Sequence, residues 1–203
     1  MRCFTRSELI RTSALFAALP SMRPRPAVAV FYQAEDKSWD VTFPDTWTVE
    51  GVQPRNDPMH FMHVAATRPD FSAAKVDIFV DKVKFKSLKD LGQLNTVANQ
   101  FQLKQPQPAT LVDAVNVPRP GPFSTSSYKF RYTTNNGATL TAVKVAVKQE
   151  RLYQLVASLP AQAPTSLQEE VQSIVDSFKA FPLNAGCLAQ SNRGGVILPG
   201  VCY

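Results

Sequence analysis

The 203-residue chain is poor in the side chains on which catalysis and metal binding most often rest, with two histidines, His60 and His63, and three cysteines. It contains no G-x-S-x-G nucleophile elbow, no H-E-x-x-H zinc motif, no P-loop and no G-x-G-x-x-G turn, and an enzyme is therefore not expected. The cysteines fall in no C-x-x-C or metal-ligand spacing. Long apolar runs are missing too. The stretch Thr12–Leu19 (TSALFAAL) is far short of the roughly 20 apolar residues needed to span a bilayer. There are no internal repeats and no blocks of like charge, which excludes solenoids and charged binding tails.

The one global imbalance is a formal net charge of +6. Its distribution argues against a polyanion partner. Residues 1–29 hold Arg2, Arg6, Arg11, Arg23 and Arg25 against Glu8, so that removing them takes 22 basic and 16 acidic residues to 17 and 15, a net of +2. Nucleic-acid binding is not expected of so nearly neutral a domain. Those first 29 residues read as a targeting segment: basic residues, the short apolar run, then Ala27-Val28-Ala29, an A-x-A pattern with cleavage before Val30. Residues 30–181 are expected to form one domain and 182–203 a Gly/Pro-rich tail. Cys3 leaves with the leader. An exported compartment would permit a disulfide between Cys187 and Cys202, closing a loop of about 15 residues for roughly 3 kcal/mol; two unpaired thiols are the alternative.

Alternation of apolar and polar residues marks the strands. Trp39, Val41 and Phe43 alternate with Asp40 and Thr42, a turn follows at Pro44-Asp45, and Trp47 and Val49 resume the pattern. Gly51–Pro58 reads as a loop, and His60–Ala66 and Lys75–Phe85 as strands joined by RPDFS. Val76, Ile78 and Val80 are apolar at even positions but Val83 and Phe85 at odd ones, which predicts a β-bulge or kink near Asp81-Lys82. Leu111–Val117 is a short strand. The clearest signal lies between Ser126 and Leu159. Asn136-Gly137 suits a two-residue turn with both φ positive and pairs Tyr132 with Thr141, Phe130 with Val143 and Tyr128 with Val145. A three-residue turn, Gln149-Glu150-Arg151, would then set Tyr153 opposite Val147 and Leu155 opposite Val145.

Two helices complete the pattern. Ser87, with Asp90 three residues on, opens one whose stripe is Leu88, Leu91, Leu94, Ala98 and Phe101. The other runs from Thr165 to Phe178 with Leu167, Val171, Ile174, Val175 and Phe178 on one face and Thr165-x-x-Gln168 or Ser166-x-x-Glu169 as its cap. Seven or eight mostly antiparallel strands with two helices make an α+β fold, helices covering a sheet.

Three groups of residues are candidates for function. Asp57-Pro-Met-His-Phe-Met-His63 offers thioether and imidazole ligands that suit copper or zinc. On a regular strand, however, His60 and His63 face opposite sides, and packing Met and Phe with surface imidazoles is the preferred reading. Asp77 and Asp81, with Asp36 and Asp40, could serve calcium, but no EF-hand spacing is present and solvent-facing acids are expected. Lys82, Lys84 and Lys86, with Lys75, Lys89 and Lys104 near in sequence, form either a docking ridge for an acidic surface or a strand edge guarded by lysine.

Several of these segments resemble one family. Phe43-Pro-Asp-Thr-Trp47 after a first strand, the helix opening Lys86-Ser-Leu88, the strands Ser127-Tyr-Lys-Phe-Arg-Tyr132 and Arg151-Leu-Tyr-Gln-Leu155, and the closing Ser177-Phe178 together resemble the PsbP domain, across about residues 31–181. The resemblance implies an α/β/α sandwich around a central antiparallel sheet, delivery to the chloroplast thylakoid lumen, and a leader of the thylakoid-transfer type whose stromal first half is largely missing. It further implies a monomeric extrinsic protein held peripherally on photosystem II and its oxygen-evolving complex, stabilising or helping assemble it, with calcium and chloride retention. The tail bearing Cys187 and Cys202 has no counterpart in the family pattern, which points to a divergent member. An assembly factor with transient partners, or an exported metal-binding module using His60 and His63, are the alternatives.

Overall fold

The computed structural model describes residues 29–34, 36–50, 60–105, 107–121, 124–134 and 136–183, with the backbone alone at 60–62. The targeting segment before Ala29, the loop at 51–58 and the tail with Cys187 and Cys202 lie outside the described residues. Elements follow the order β1 (Ala29–Gln33), β2 (Trp39–Pro44), β3 (Thr48–Val49), β4 (His60–Arg68), β5 (Phe71–Lys82), α1 (Leu88–Leu91), α2 (Leu94–Leu103), β6 (Ala109–Val117), β7 (Ser127–Thr134), β8 (Thr139–Lys148), β9 (Arg151–Pro160), α3 (Thr165–Ser177) and β10 (Lys179–Ala180).

Seven strands form one antiparallel sheet in the order β3-β4-β5-β9-β8-β7-β6, and β1-β2-β10 form a small second sheet. Both faces of the large sheet are covered. On one, Val64, Val76, Ile78, Val80, Tyr153, Leu155 and Ala157 pack with Trp39, Val41 and Phe43 of the small sheet and with Leu167, Val171, Ile174 and Val175 of α3. On the other, Tyr128, Phe130, Tyr132, Val143, Val145 and Val147 pack under Leu88, Val97 and Ala98. The arrangement is the expected α+β sandwich. At roughly 1.5–3 kcal/mol for each large apolar side chain, burial on both faces supplies the main driving force.

The β7–β8 hairpin has the register that its sequence dictates. Tyr132 pairs with Thr141, Phe130 with Val143 and Tyr128 with Val145, and Asn136 and Gly137 have φ of 54° and 86°. The aromatic row is core beneath a helix: Tyr132 Oη donates to the Ala98 carbonyl at 2.8 Å, and Phe101 lies 5.8 Å from Phe130. The next hairpin departs from expectation. Its turn has two residues, because Lys148 pairs with Arg151, and Tyr153 stands opposite Ala146 and Leu155 opposite Lys144. Gln149 and Glu150 take φ of 52° and 63°, the primed turn that fits strand twist, without the Gly or Asn that would announce it. A one-residue slip exchanges faces, so Tyr153, Leu155 and Ala157 serve the α3 side and not the aromatic row.

Other boundaries are corrected likewise. The apolar parity change after Val80 reflects the end of β5 at Lys82, with Val83 turning to pack on the helix side, and not a bulge in that strand. The bulge lies in its neighbour, between His60 and Met62 of β4. The helix expected from Ser87 is broken at Gly92, whose φ of 126° L-residues rarely adopt. Asp90 nonetheless caps α1 as expected, accepting from the Lys86 and Ser87 amides at 3.1 and 2.9 Å. Helix α3 takes Pro164 as its N-cap, and Gln168 instead donates to the Ala163 carbonyl at 2.8 Å. Strand β10 was not foreseen: the chain leaving α3 runs along β2, with Lys179 opposite Asp40.

Candidate docking surface

The F-P-D-T-W motif first proves to be structural. Trp47, buried from the motif, donates through Nε1 to Glu170 Oε1 of α3 at 2.5 Å, Thr46 Oγ1 donates to the same oxygen at 3.0 Å, and Arg68 Nη1 donates to Glu170 Oε2 at 2.7 Å. One carboxylate thus ties the first strands to the last helix. Lys144 does the same at the other end of α3. It is 5% exposed, and its Nζ donates to the carbonyls of Val175 at 3.1 Å and Asp176 at 2.9 Å. These are the last carbonyls of the helix, where a cation satisfies orphan acceptors and complements the helix dipole. Burial pulls the Lys144 pKa down to about 8, against the opposing pull of Asp176. Burial pushes Asp176 up, but hydrogen bonds from Lys129 and Gln172 leave it below the usual carboxylate value. Asp40, expected on a polar face, is buried beneath this cluster and raised by that burial.

The histidine segment has a partner of its own. His63 Nε2 lies 2.8 Å from Asp77 Oδ1, and the imidazole stacks on Phe79 with centroids 4.6 Å apart. Asp81 accepts from Gln154 Nε2 at 2.7 Å. These acids are half-buried and engaged, and not simply solvated. The backbone register shifts between His60, paired with Asp81, and Met62, paired with Val80, so the regular alternation read from the sequence does not run through this segment. No group of three or more His, Cys, Asp or Glu side chains is placed to hold a metal among the described residues.

The lysines give the most distinctive surface. Lys82, Lys84 and Lys86 are exposed, but only Lys82 belongs to a strand, and β5 is an inner strand of the sheet, so they do not guard an edge. They belong to the connection that crosses the end of the molecule. Val83 donates to the Glu150 carbonyl of the β8–β9 turn at 2.8 Å, and Ser87 bridges Lys148, taking the place beside β8 that β7 vacates. Exposed Lys89 and Phe85 stand with them. Lys75, paired with Ser158, and Lys104, beyond α2, fall at the opposite end. Sequence proximity therefore grouped lysines that the fold separates.

The same end holds a cleft of about 250 Å³ lined by Arg119, Ser124, Thr125, Ser126, Lys148 and Pro182. Its walls are the β6–β7 connection, the end of β8 and the chain after β10. The Thr125 amide donates to the Ala180 carbonyl at 3.0 Å, and Arg119 Nε and Ser124 Oγ donate to Gly121 O at 2.8 and 3.0 Å. Sequence reading passed over Arg119 and Lys148, because one stands alone in a proline-rich loop and the other looks like a routine strand terminus.

A family model for PsbP matches residues 29–180. No curated protein matches the chain in sequence. The solution structure of cyanobacterial PsbP (CyanoP) from Synechocystis sp. PCC 6803 is similar with a TM-score of 0.59 and 15% identity, covering 82% of this chain and 99% of that one. The Ran-binding protein Mog1p of Saccharomyces cerevisiae gives 0.45 and 8% over 75% and 95% of the two chains, and LpqN of Mycobacterium tuberculosis, involved in cell envelope biogenesis, gives 0.44 and 16% over 78% and 87%. The likeness to CyanoP shows a shared fold, and the family match covers both sheets and all three helices. The chain belongs to the PsbP family.

Proposed function

We propose that this chain is an extrinsic protein of the thylakoid lumen that docks peripherally on photosystem II, stabilising the complex or assisting its assembly, and that it docks through its basic end. Family membership supports the photosystem partner. The observation that carries the docking surface is the collection of Lys82, Lys84, Lys86, Lys89 and Lys148 at one end of the sheet, where Asp90 is occupied in capping and Asp81 in binding Gln154. Among the described residues no helix is long and apolar enough to cross a membrane, which accords with peripheral attachment. A basic surface of this kind steers approach to an acidic partner and makes attachment sensitive to salt, with charges screened beyond about 10 Å at 0.1 M. Charge reversal, Lys82→Glu with Lys84→Glu and Lys86→Glu, is expected to release the protein from washed thylakoid membranes at lower salt than the parent. Equal retention of parent and variant at every salt concentration would defeat the proposal.

A second reading, metal binding on β4–β5 through His60 and His63, is favoured by the carboxylate of Asp77 that lies 2.8 Å from His63 Nε2. Calorimetric titration with copper, zinc and calcium, on the parent and on His60→Ala and His63→Ala variants, tests it. Identical heats in all three proteins would remove this site.

A further inference from the structure

We infer that the cleft at the basic end is a carboxylate-binding site, taking an acidic side chain of the docking partner. The inference rests on the docking reading above and gives it a specific seat. Arg119, Thr125, Ser126 and Lys148 line the cleft, and among the described residues the Nη groups of Arg119, Lys148 Nζ, Thr125 Oγ1 and Ser126 Oγ have no hydrogen-bond or ion-pair partner. Among the described residues no acidic side chain lines it. Two of the lining side chains, Arg119 and Lys148, are cations that can only donate, the Ser and Thr hydroxyls can donate as well, and the planar guanidinium matches a carboxylate with two parallel hydrogen bonds. Arg119 is held for this by its own Nε, which donates to Gly121 O at 2.8 Å and leaves the outer edge of the fork free.

Phosphate fits less well. Phosphate sites are built from backbone amides at a helix N-terminus or in a nest. Here two of the loop amides are spent internally, Thr125 N–H on the Ala180 carbonyl and Ser124 N–H on Gly121 O. The volume of about 250 Å³ falls below the roughly 300–1,000 Å³ of sites for drug-sized ligands and has room for one acidic side chain. The exposed lysines around the rim supply long-range attraction, and the cleft supplies a fixed geometry.

The test is a titration of the isotopically labelled full chain, followed by amide NMR, with an acetylated and amidated peptide of alternating Asp and Gly. Controls are the same peptide with Asn for Asp, and inorganic phosphate. The acidic peptide is expected to shift the amides of Thr125, Ser126 and Lys148 saturably, and the Asn peptide is not. Arg119→Gln and Lys148→Gln are each expected to weaken binding about tenfold, as loss of a hydrogen bond to a charged group does. Lys82→Ala is expected to change it less than about twofold, since a rim charge acts mostly on approach. Arg119 and Lys148 support no core, so circular dichroism checks that the variants are folded; if one is not, the other carries the test. Shifts spread evenly over all lysines, indifference to both substitutions, or tighter binding of phosphate than of the peptide would overturn the inference. Membrane attachment that survives while peptide binding is absent removes the cleft and leaves the docking reading. Peptide binding at the cleft without membrane attachment does the reverse.

Discussion

The native protein is expected to gain stability in mild alkali through Lys144, and replacing Lys144 by methionine should abolish that rise. Lys144 is enclosed by Val175 and Asp176 of α3, Lys129 of β7, Asp40 of β2 and Lys179 of β10. Its pKa falls from 10.5 to about 8 in the folded chain. Below pH 8 the side chain is protonated in both folded and unfolded states, and the whole penalty of burying the charge is present. Between about 8 and 10.5 the native state gives up its proton while the unfolded state keeps it, so the unfolded state binds more protons and stability rises with pH. At about 1.4 kcal/mol for each tenfold change in proton affinity, the rise amounts to roughly 3 kcal/mol. Two tyrosines oppose it at higher pH. Burial raises Tyr153 to about 12 and raises Tyr132 as well, so above pH 10 the unfolded state ionises first and stability falls. Stability should therefore pass through a maximum between about pH 9 and 10. Urea denaturation at pH 7, 8, 9 and 10 measures this directly. In Lys144→Met the limb from 8 to 10 should flatten. At pH 7 the net change is small, because relief of the buried charge is offset by about 1–3 kcal/mol for each helix carbonyl left without a donor. The same alkaline slope in parent and variant would refute the assignment of that slope to Lys144.

Other substitutions probe other parts of the fold. Glu170→Ala removes the acceptor shared by Trp47, Thr46 and Arg68, and should cost about 2–4 kcal/mol in urea denaturation, whereas Thr46→Ala alone should cost less than about 1. Asp36→Ala removes the buried carboxylate to which Arg151, its side chain 5% exposed, donates at 2.8 Å, and should cost about 3–5 kcal/mol by the same assay. Glu150→Gly relieves a left-handed side-chain residue in the β8–β9 turn and should be neutral or raise stability by up to about 1 kcal/mol; a loss above 1 would count against the primed turn.

Much of the fold was legible where local signals and tertiary packing agree. Asn136-Gly137 and the aromatic and β-branched pairs around it determined the β7–β8 register, since any slip would put Phe130 and Val143 on different faces. The stripe Leu167, Val171, Ile174 and Val175 determined the inner face of α3. The β8–β9 turn was not legible, because Gln149 and Glu150 take positive φ only under the constraint of paired strands on either side. Nor was the burial of Lys144 and Asp40: alternation assigns each to an outer face, yet both sheet faces are covered, and only the closure of α3 and β10 buries them. The lysine surface was half legible. Lys82, Lys84 and Lys86 stay together, but Arg119 and Lys148 join them through contacts that span the chain, from the β6–β7 connection to the start of α1.

Zero-length carbodiimide cross-linking of this protein to photosystem II membranes, read out by mass spectrometry, tests the docking claim most directly. A peripheral protein docked by its basic end should give cross-links from Lys82, Lys84, Lys86, Lys89 and Lys148 to acidic residues of the complex, and none from Lys75 or Lys104 at the far end. Cross-links confined to Lys75 and Lys104, or none to any photosystem subunit, would contradict the account.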